Sequence, residues 1–432
     1  MKSQLVKFMT LSFLLLSAGC GETNTSSTPK PSSPVASTPS APVESTPTPS
    51  TPATSSTNTP VSSSTSTVIE QTSSVDNKSY WSETYMNPVS VTTSAGSKFN
   101  GEVADPSIVR GDDGYYYIVS TNRVMLRSED ACNWEVVTTN IIGTPGWGAD
   151  VAGTSGSYAL WAPDLIKIGD QWIYYYSLSG WGSPRGIGYA TADNVAGPYT
   201  DQGKLFDLNE IGIQNCIDPQ PFVDTDGSVY MTVGSFQGLY LVELTEDGTA
   251  CMNGVEYQKE NKVLIAGYDG GWDGSTYEGG YIMEKDGTYY YFGSAGTCCE
   301  GQNSTYRVYV GKADNVAGPY RDRQGRPLTM SRSGTTCGEL VIWAGTASNK
   351  SVVGVGHNSI LVDDAGDWWI YYHGYCNLDT FGTRHLFMDK LVWSEDGYPY
   401  VSYVGEDEDG NEKVYNYLPS FQVELDGPRI EE

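Results

Sequence analysis

In ADPSIVRGDDGYYYIVSTN (residues 104–122) an acid stands before a proline, followed by a β-branched run, an Asp/Gly turn and a tyrosine-rich stretch. Four later segments follow the same plan: WAPDLIKIGDQWIYYYSLS from Trp161, CIDPQPFVDTDGSVYMTVGSF from Cys216, YEGGYIMEKDGTYYYFGSAG from Tyr277 and GHNSILVDDAGDWWIYYHGY from Gly356. Each reads as strand, tight turn, strand, the signature of a β-hairpin. Polar groups open the units at Asp105, Asp164, Asp218, Glu278 and the His357-Asn358 pair. The steps are 59, 54, 60 and finally 79 residues. A period of that size points to a radial array with one blade per repeat. The expected fold is therefore all-β, a five-bladed β-propeller. A second echo agrees with it: Ala192–Tyr199 (ADNVAGPY) returns word for word at Ala313–Tyr320, 121 residues or two blades later.

In a propeller the starts of the blades converge on one axis, so five polar strand starts would surround a central depression. A single such acid would be an ordinary turn cap; five in register favour a site. The residue before a proline is biased towards extended backbone, which would aim Asp105 and Asp218 off their strand starts. Several carboxylates around one pocket suit acid/base work on a neutral bond. One must be ionised to activate water, another protonated to serve the leaving group, and a third can tune the donor. Glycoside hydrolysis needs that division of roles. No Ser-His-Asp order, nucleophile elbow, P-loop or dinucleotide fingerprint competes with it. Trp161 beside the centre would make a stacking platform for a sugar face, or a core residue. Phe236 after Gly234-Ser235 would line the sugar site or pack, and Trp147 in a Gly-rich loop has the same two readings.

The rest of the chain sets the context. Net charge is −27 over 432 residues, which excludes a basic nucleic-acid face. Residues 1–20 read as a signal peptide, with Lys2, Lys7 and an apolar run from Phe8 to Leu16. Its end, Ser17-Ala18-Gly19-Cys20, resembles a bacterial lipobox, making Cys20 the candidate for a lipid tether; plain cleavage and secretion is the alternative. Residues 21–75 are Ser/Thr/Pro-rich and read as a disordered stalk. Residues 80–405 form the expected propeller, closed by Arg384–Tyr403 against the lead-in, and 406–432 a C-terminal extension. Cysteines 132, 216, 251, 298, 299, 337 and 376 show no CxxC spacing for zinc. Adjacent Cys298 and Cys299 are not expected to pair with each other.

The blade starts ADPSI, WAPD, IDP, EGGYI and GHNS resemble glycoside hydrolase family 43 over about Asp105 to Tyr400. That resemblance implies a five-bladed propeller that cleaves arabinan, arabinoxylan or xylo-oligosaccharides with inversion. It makes Asp105 the general base, Asp218 the acid that tunes pKa and orientation, and Glu278 the general acid. It also implies Ca2+ at the centre, held in part through His357 with waters in the remaining shell. Internal symmetry alone cannot choose between Asp164 and Asp218 as the third carboxylate; the resemblance chooses Asp218 and leaves Asp164 at the pocket wall, beside the substrate. Arg384 resembles a family arginine near the substrate. The segment Gly293–Asp322, with Cys-Cys-x-Gly, Ser-Thr-Tyr and Gly-Pro-Tyr, is similar to endo-α-1,5-L-arabinanases, although Tyr-Glu-Gly-Gly-Tyr replaces their common Glu-Ala-Pro-Tyr. The expected activity is endo-acting hydrolysis of arabinan. The alternatives are an exo-acting α-L-arabinofuranosidase or β-xylosidase, and a sugar-binding propeller without catalysis. The expected partner is plant cell-wall polysaccharide, met outside the cell by a monomer.

Overall fold

Five sheets are formed where the five repeats stand, antiparallel except that Val91–Thr92 adds to the edge of blade one parallel to Trp134–Thr138, and each begins at the centre with the first strand of a repeat. The computed structural model describes residues 78–148, 159–179, 185–345 and 350–431. The signal peptide, Cys20 and the whole stalk lie outside the described residues. The inner strands are Ser107–Arg110, Ala159–Ile168, Gln220–Val223, Glu278–Lys285 and Val352–Val362. Each contacts the next, and the last contacts the first, so the ring is closed. This is a five-bladed β-propeller. Helix is scarce among the described residues, with short pieces at Leu208–Ile211 and Val255–Asn261.

Alternating apolar residues on both faces of each sheet explain the stacking. Five buried clusters fill the five seams between neighbouring blades. Tyr117 and Val119 of blade one, for example, pack with Leu165 and Tyr174 of blade two. Trp147 belongs here too: it packs on this cluster and its Nε1 donates to the Tyr176 hydroxyl at 2.8 Å. The duplicated ADNVAGPY motif does one job twice. Tyr199 donates to Val195 O at 2.8 Å, and Tyr320 to Val316 O at 2.7 Å.

Near the axis each seam is also tied by a polar link. Ser107 Oγ donates to Asp164 Oδ1 at 2.9 Å, and the Asp218 N–H donates to Ser177 Oγ at 2.9 Å. Thr232 Oγ1 reaches Gly280 O at 2.8 Å, the His357 N–H reaches Ser294 Oγ at 2.8 Å, and the Ile108 N–H reaches Ser359 Oγ at 3.2 Å.

The lead-in meets the segment after Arg384, as Val89 N donates to Leu386 O at 3.0 Å, and the C-terminal segment joins the same closure. Residues 385–393 form a middle strand of blade five, and Glu412–Asn416 adds a fifth strand outside it. The C-terminal segment is no appendage: Glu424–Asp426 pairs with Thr84–Met86, and Ile430–Glu431 with Tyr80–Trp81. Buried Asn87 locks this belt to blade five. Its Nδ2 donates to Met388 O at 2.6 Å and its Oδ1 accepts from Met388 N at 3.0 Å.

Candidate active site

Four of the five blade starts place a non-glycine residue at positive φ: Asp105 (54°), Ala162 (38°), Asp218 (61°) and His357 (49°); blade four has Gly279 (56°) there. This is the left-handed region, costly for side-chain-bearing residues and found where surroundings over-determine the backbone. Asp105 and Asp218 are therefore not extended, as their following prolines suggested. In blades two, four and five the left-handed residue sits inside a break in strand register, between Trp161 and Asp164, Glu278 and Tyr281, and Gly356 and Ser359.

This geometry corrects the internal alignment. The counterpart of Asp105 in blade two is Ala162, and Asp164 is the counterpart of Ser107. Asp164 accordingly points to a small axial cavity of about 10 Å³, with Asp218, Gln220, His357 and Asn358, instead of lining the cleft above it. It is a carboxyl buried against Ser107, and burial pushes its pKa up to about 8, so it is neutral at pH 7. The expectation that it meets substrate gives way to a place inside the channel. The proline carries the signal that finds the right register: Asp105-Pro106, Ala162-Pro163 and Asp218-Pro219 align without gaps.

Above the axial cavity lies a cleft of about 320 Å³. Asp105, Asp218, Glu278, Trp161, His357 and Arg384 all line it. Asp105 accepts from Thr121 Oγ1 at 2.5 Å, and Arg384 Nη1 lies 3.6 Å from its Oδ1. His357 Nδ1 and His373 Nδ1 are 3.3 and 3.2 Å from the same oxygen. Burial lowers the pKa of both imidazoles, that of His357 to about 4. His373 Nδ1 already accepts the Asp105 N–H at 3.1 Å, so it has no proton to give the carboxylate. Burial alone would raise Asp105, but the surrounding cationic and hydrogen-bonding groups win and hold it well below the usual range. At neutral pH the permanent charge among them is Arg384, itself anchored by Nε to Glu102 at 2.7 Å.

Glu278 stands one residue before the left-handed Gly279, and its Oε2 accepts from Ser235 Oγ at 2.9 Å. Its Oε1 is buried without a hydrogen-bond partner. Burial pushes its carboxyl up to about 7, against the pull of the Tyr306 hydroxyl and Ser235. Asp218 accepts the Gly279 N–H at 3.0 Å. Burial, then the charge of Glu278, raises it well above its ordinary value. One cleft thus favours the anion at Asp105 and the protonated form at Glu278 and Asp218.

Phe236 is buried and lies behind the cleft wall; its ring is 4.8 Å from that of Trp272, which is 58% exposed and lines the cleft. Sequence reading passed over Trp272, whose signal was an aromatic in the loop Gly270-Gly271-Trp272-Asp273-Gly274. It also misjudged Cys298 and Cys299, which form a disulfide on the cleft wall. Their Cα atoms are 3.8 Å apart, the ordinary spacing across a trans peptide, so the bend at this edge accommodates the bond. The remaining five cysteines among the described residues are free and buried.

Residues 99–399 match the family described as Glycosyl hydrolases family 43. The chain is 30% identical over 340 residues to extracellular exo-alpha-(1->5)-L-arabinofuranosidase ArbA of Cellvibrio japonicus, covering 75% of this chain and 94% of that protein. It is 26% identical over 346 residues to extracellular endo-alpha-(1->5)-L-arabinanase 2 of Bacillus subtilis, covering 70% and 71%. Among solved structures, Cellvibrio cellulosa alpha-L-arabinanase complexed with arabinohexaose superposes with a TM-score of 0.60 at 30% identity, over 72% of this chain and 96% of that one. Repeat, ring and cleft agree with these likenesses: the chain belongs to glycoside hydrolase family 43.

Proposed function

We propose that the protein is an inverting hydrolase that cuts α-1,5-linked L-arabinofuranosidic bonds within arabinan chains. The observation that carries the reading is the opposite surroundings of two carboxyls in one cleft: Asp105 lies 3.6 Å from Arg384 Nη1 and its pKa is lowered, whereas Glu278 is buried with one oxygen unpartnered and its pKa is raised to about 7. Asp105 takes a proton from a water whose oxygen forms the new bond to the anomeric carbon. Glu278 gives its proton to the departing glycosidic oxygen as that bond breaks. Asp218, which accepts the N–H of Gly279 next to Glu278, orients the acid, whose raised pKa comes chiefly from burial. Trp161 and Trp272 offer ring faces to the sugar.

The names of the Bacillus subtilis relatives and others support internal cleavage; the exo-acting name of the Cellvibrio japonicus relative supports the second reading, release from a chain end. Products from debranched arabinan separate them. A ladder of oligosaccharides is expected, with an inverted anomer in the first NMR spectra. Monosaccharide alone would replace the endo reading, and a retained anomer would remove the direct-displacement mechanism.

The axial cavity suits a Ca2+ ion. Both amide atoms of buried Asn358 lack partners, and Asp164, Asp218 and Gln220 add oxygen donors beside His357. Such oxygen-rich surroundings fit a hard cation, with His357 holding it in part. When bound, the ion supplies fixed positive charge beneath the carboxyls. Metal analysis of the active protein should find about one Ca2+ per chain, and a chelator should lower its melting temperature; an active protein free of metal would overturn the assignment. We place the enzyme outside the cell, as the names of its extracellular relatives suggest, and working as a monomer on plant cell-wall arabinan. Tethering through Cys20 predicts a lipid-bearing mature N-terminus by mass spectrometry.

A further inference from the structure

On the connection that leads into Arg384, three donor groups of different chemistry converge. Cys376 ends the strand Trp368–Cys376, Asp379 ends the turn Asn377–Asp379, and His385 begins the strand His385–Trp393. One sulfur, one carboxylate oxygen and one imidazole nitrogen lie within 4.8 Å of one another. We propose that Cys376, Asp379 and His385 form a second metal site, for a divalent cation of the zinc class.

The decisive detail is His385 Nε2. It is buried and has no hydrogen-bond partner, although Asp379 Oδ2 is only 3.1 Å away. The two atoms lie side by side without a well-directed hydrogen bond, as neighbouring ligands of one ion do. A buried ring nitrogen without a partner is costly, and a metal uses its lone pair. Zinc bonds of roughly 2.0–2.3 Å in a tetrahedron put donors some 3.3–3.8 Å apart, so small rotations complete the set. Asp379 is already oriented, since its Oδ1 accepts the Gly382 N–H at 3.2 Å. The thiol side is buried, while the side chains of His385 and Asp379 remain 21% and 30% exposed. That leaves an entry path and a fourth position for water. Sulfur and nitrogen donors suit zinc and not calcium, which seeks oxygen, so this site is chemically separate from the axial cavity. A bound ion would pin the connection at the residue next to Arg384, whose contacts with Glu102 and Asp105 shape the cleft.

Titration of the chelator-stripped full chain with Co2+ alone, in excess Ca2+, tests this. One equivalent should bind with a thiolate-to-cobalt charge-transfer band that Zn2+ displaces. Cys376→Ser should abolish the band. Asp379→Asn and His385→Gln, at partly exposed positions, should weaken Co2+ binding about tenfold or more. Zn2+ should raise the melting temperature of the native protein by several degrees and leave that of His385→Gln unmoved. Absence of the band, its persistence in Cys376→Ser, or unchanged affinity in both other variants would overturn the site.

Discussion

Asp105 and Glu278 are the same kind of group held at opposite protonation states in one cleft. Arg384 and the Thr121 hydroxyl favour the anion at Asp105, whereas Glu278 is buried with one oxygen unpartnered. Activity needs Asp105 ionised and Glu278 protonated, so kcat/KM should fall as pH rises through about 7, where Glu278 loses its proton. The acid limb should lie below the usual aspartate range, because Asp105 is lowered. A pH–rate profile checks both limbs; a flat profile from pH 6 to 8 would remove Glu278 as the titrating donor. Glu278→Gln should lower turnover of arabinan by about 10²–10⁴ with the melting temperature kept. An activated aryl arabinoside, whose leaving group needs no proton, should suffer much less. Trp272→Ala should cost about tenfold or more in kcat/KM on polymer through loss of an aromatic face, with Phe236 left behind it as a poor substitute.

At the scale of elements, the important device is the left-handed residue that stands at the start of, or in a register break within, each inner strand. In blade four it must be glycine. A Cβ on Gly279 would stand 3.0 Å from His357 Nδ1 and Cγ, at a φ of +56°. Gly279→Ala should therefore destabilise the fold by about 1 kcal/mol or more and displace His357 from Asp105. The readouts are denaturant midpoint and kcat; neither changing would show that the ring yields freely. The hairpins were legible from Asp/Gly turns and tyrosine-rich strands. The register around the axis was legible only in the proline positions, because two residues along a bulged strand separate a cleft residue from a channel residue. Asp164 was misplaced for that reason.

At the scale of the whole molecule, the ring is held by seams and by a terminal belt. Asn87→Ala strands the Met388 N–H and C=O, which should cost about 1–3 kcal/mol and lower the denaturation midpoint; an unchanged midpoint would mean the belt contributes nothing. Two buried carboxyls away from the proposed Ca2+ donors titrate above their unfolded values, Glu278 to about 7 and Asp389 to about 6, each chiefly through burial. The folded state therefore binds more protons than the unfolded one, so their stabilisation is full below about pH 4 and is lost as pH rises through 6 to 7. Asp105, being lowered, acts oppositely and is lost only on acidification. Relief of the −27 net charge adds to the acid preference. Melting temperature should peak near pH 5 and decline towards pH 8; a rise over that interval would contradict the burial of these groups.

The one-dimensional order of residues determined the class of fold and the set of acids, because turn chemistry and strand period are local and repeat visibly from Asp105 to Asn358. Tertiary structure decided which acid faces the cleft, that Cys298 and Cys299 join, that Trp272 lines the site, and that the termini pair with each other. The disulfide depends on a local bend of the backbone; the other outcomes depend on burial and on contacts between residues tens to hundreds of positions apart. Arg384 beside Asp105 is the clearest case: no local pattern links the two, yet their meeting helps keep one carboxyl of the cleft charged while its neighbours keep their protons.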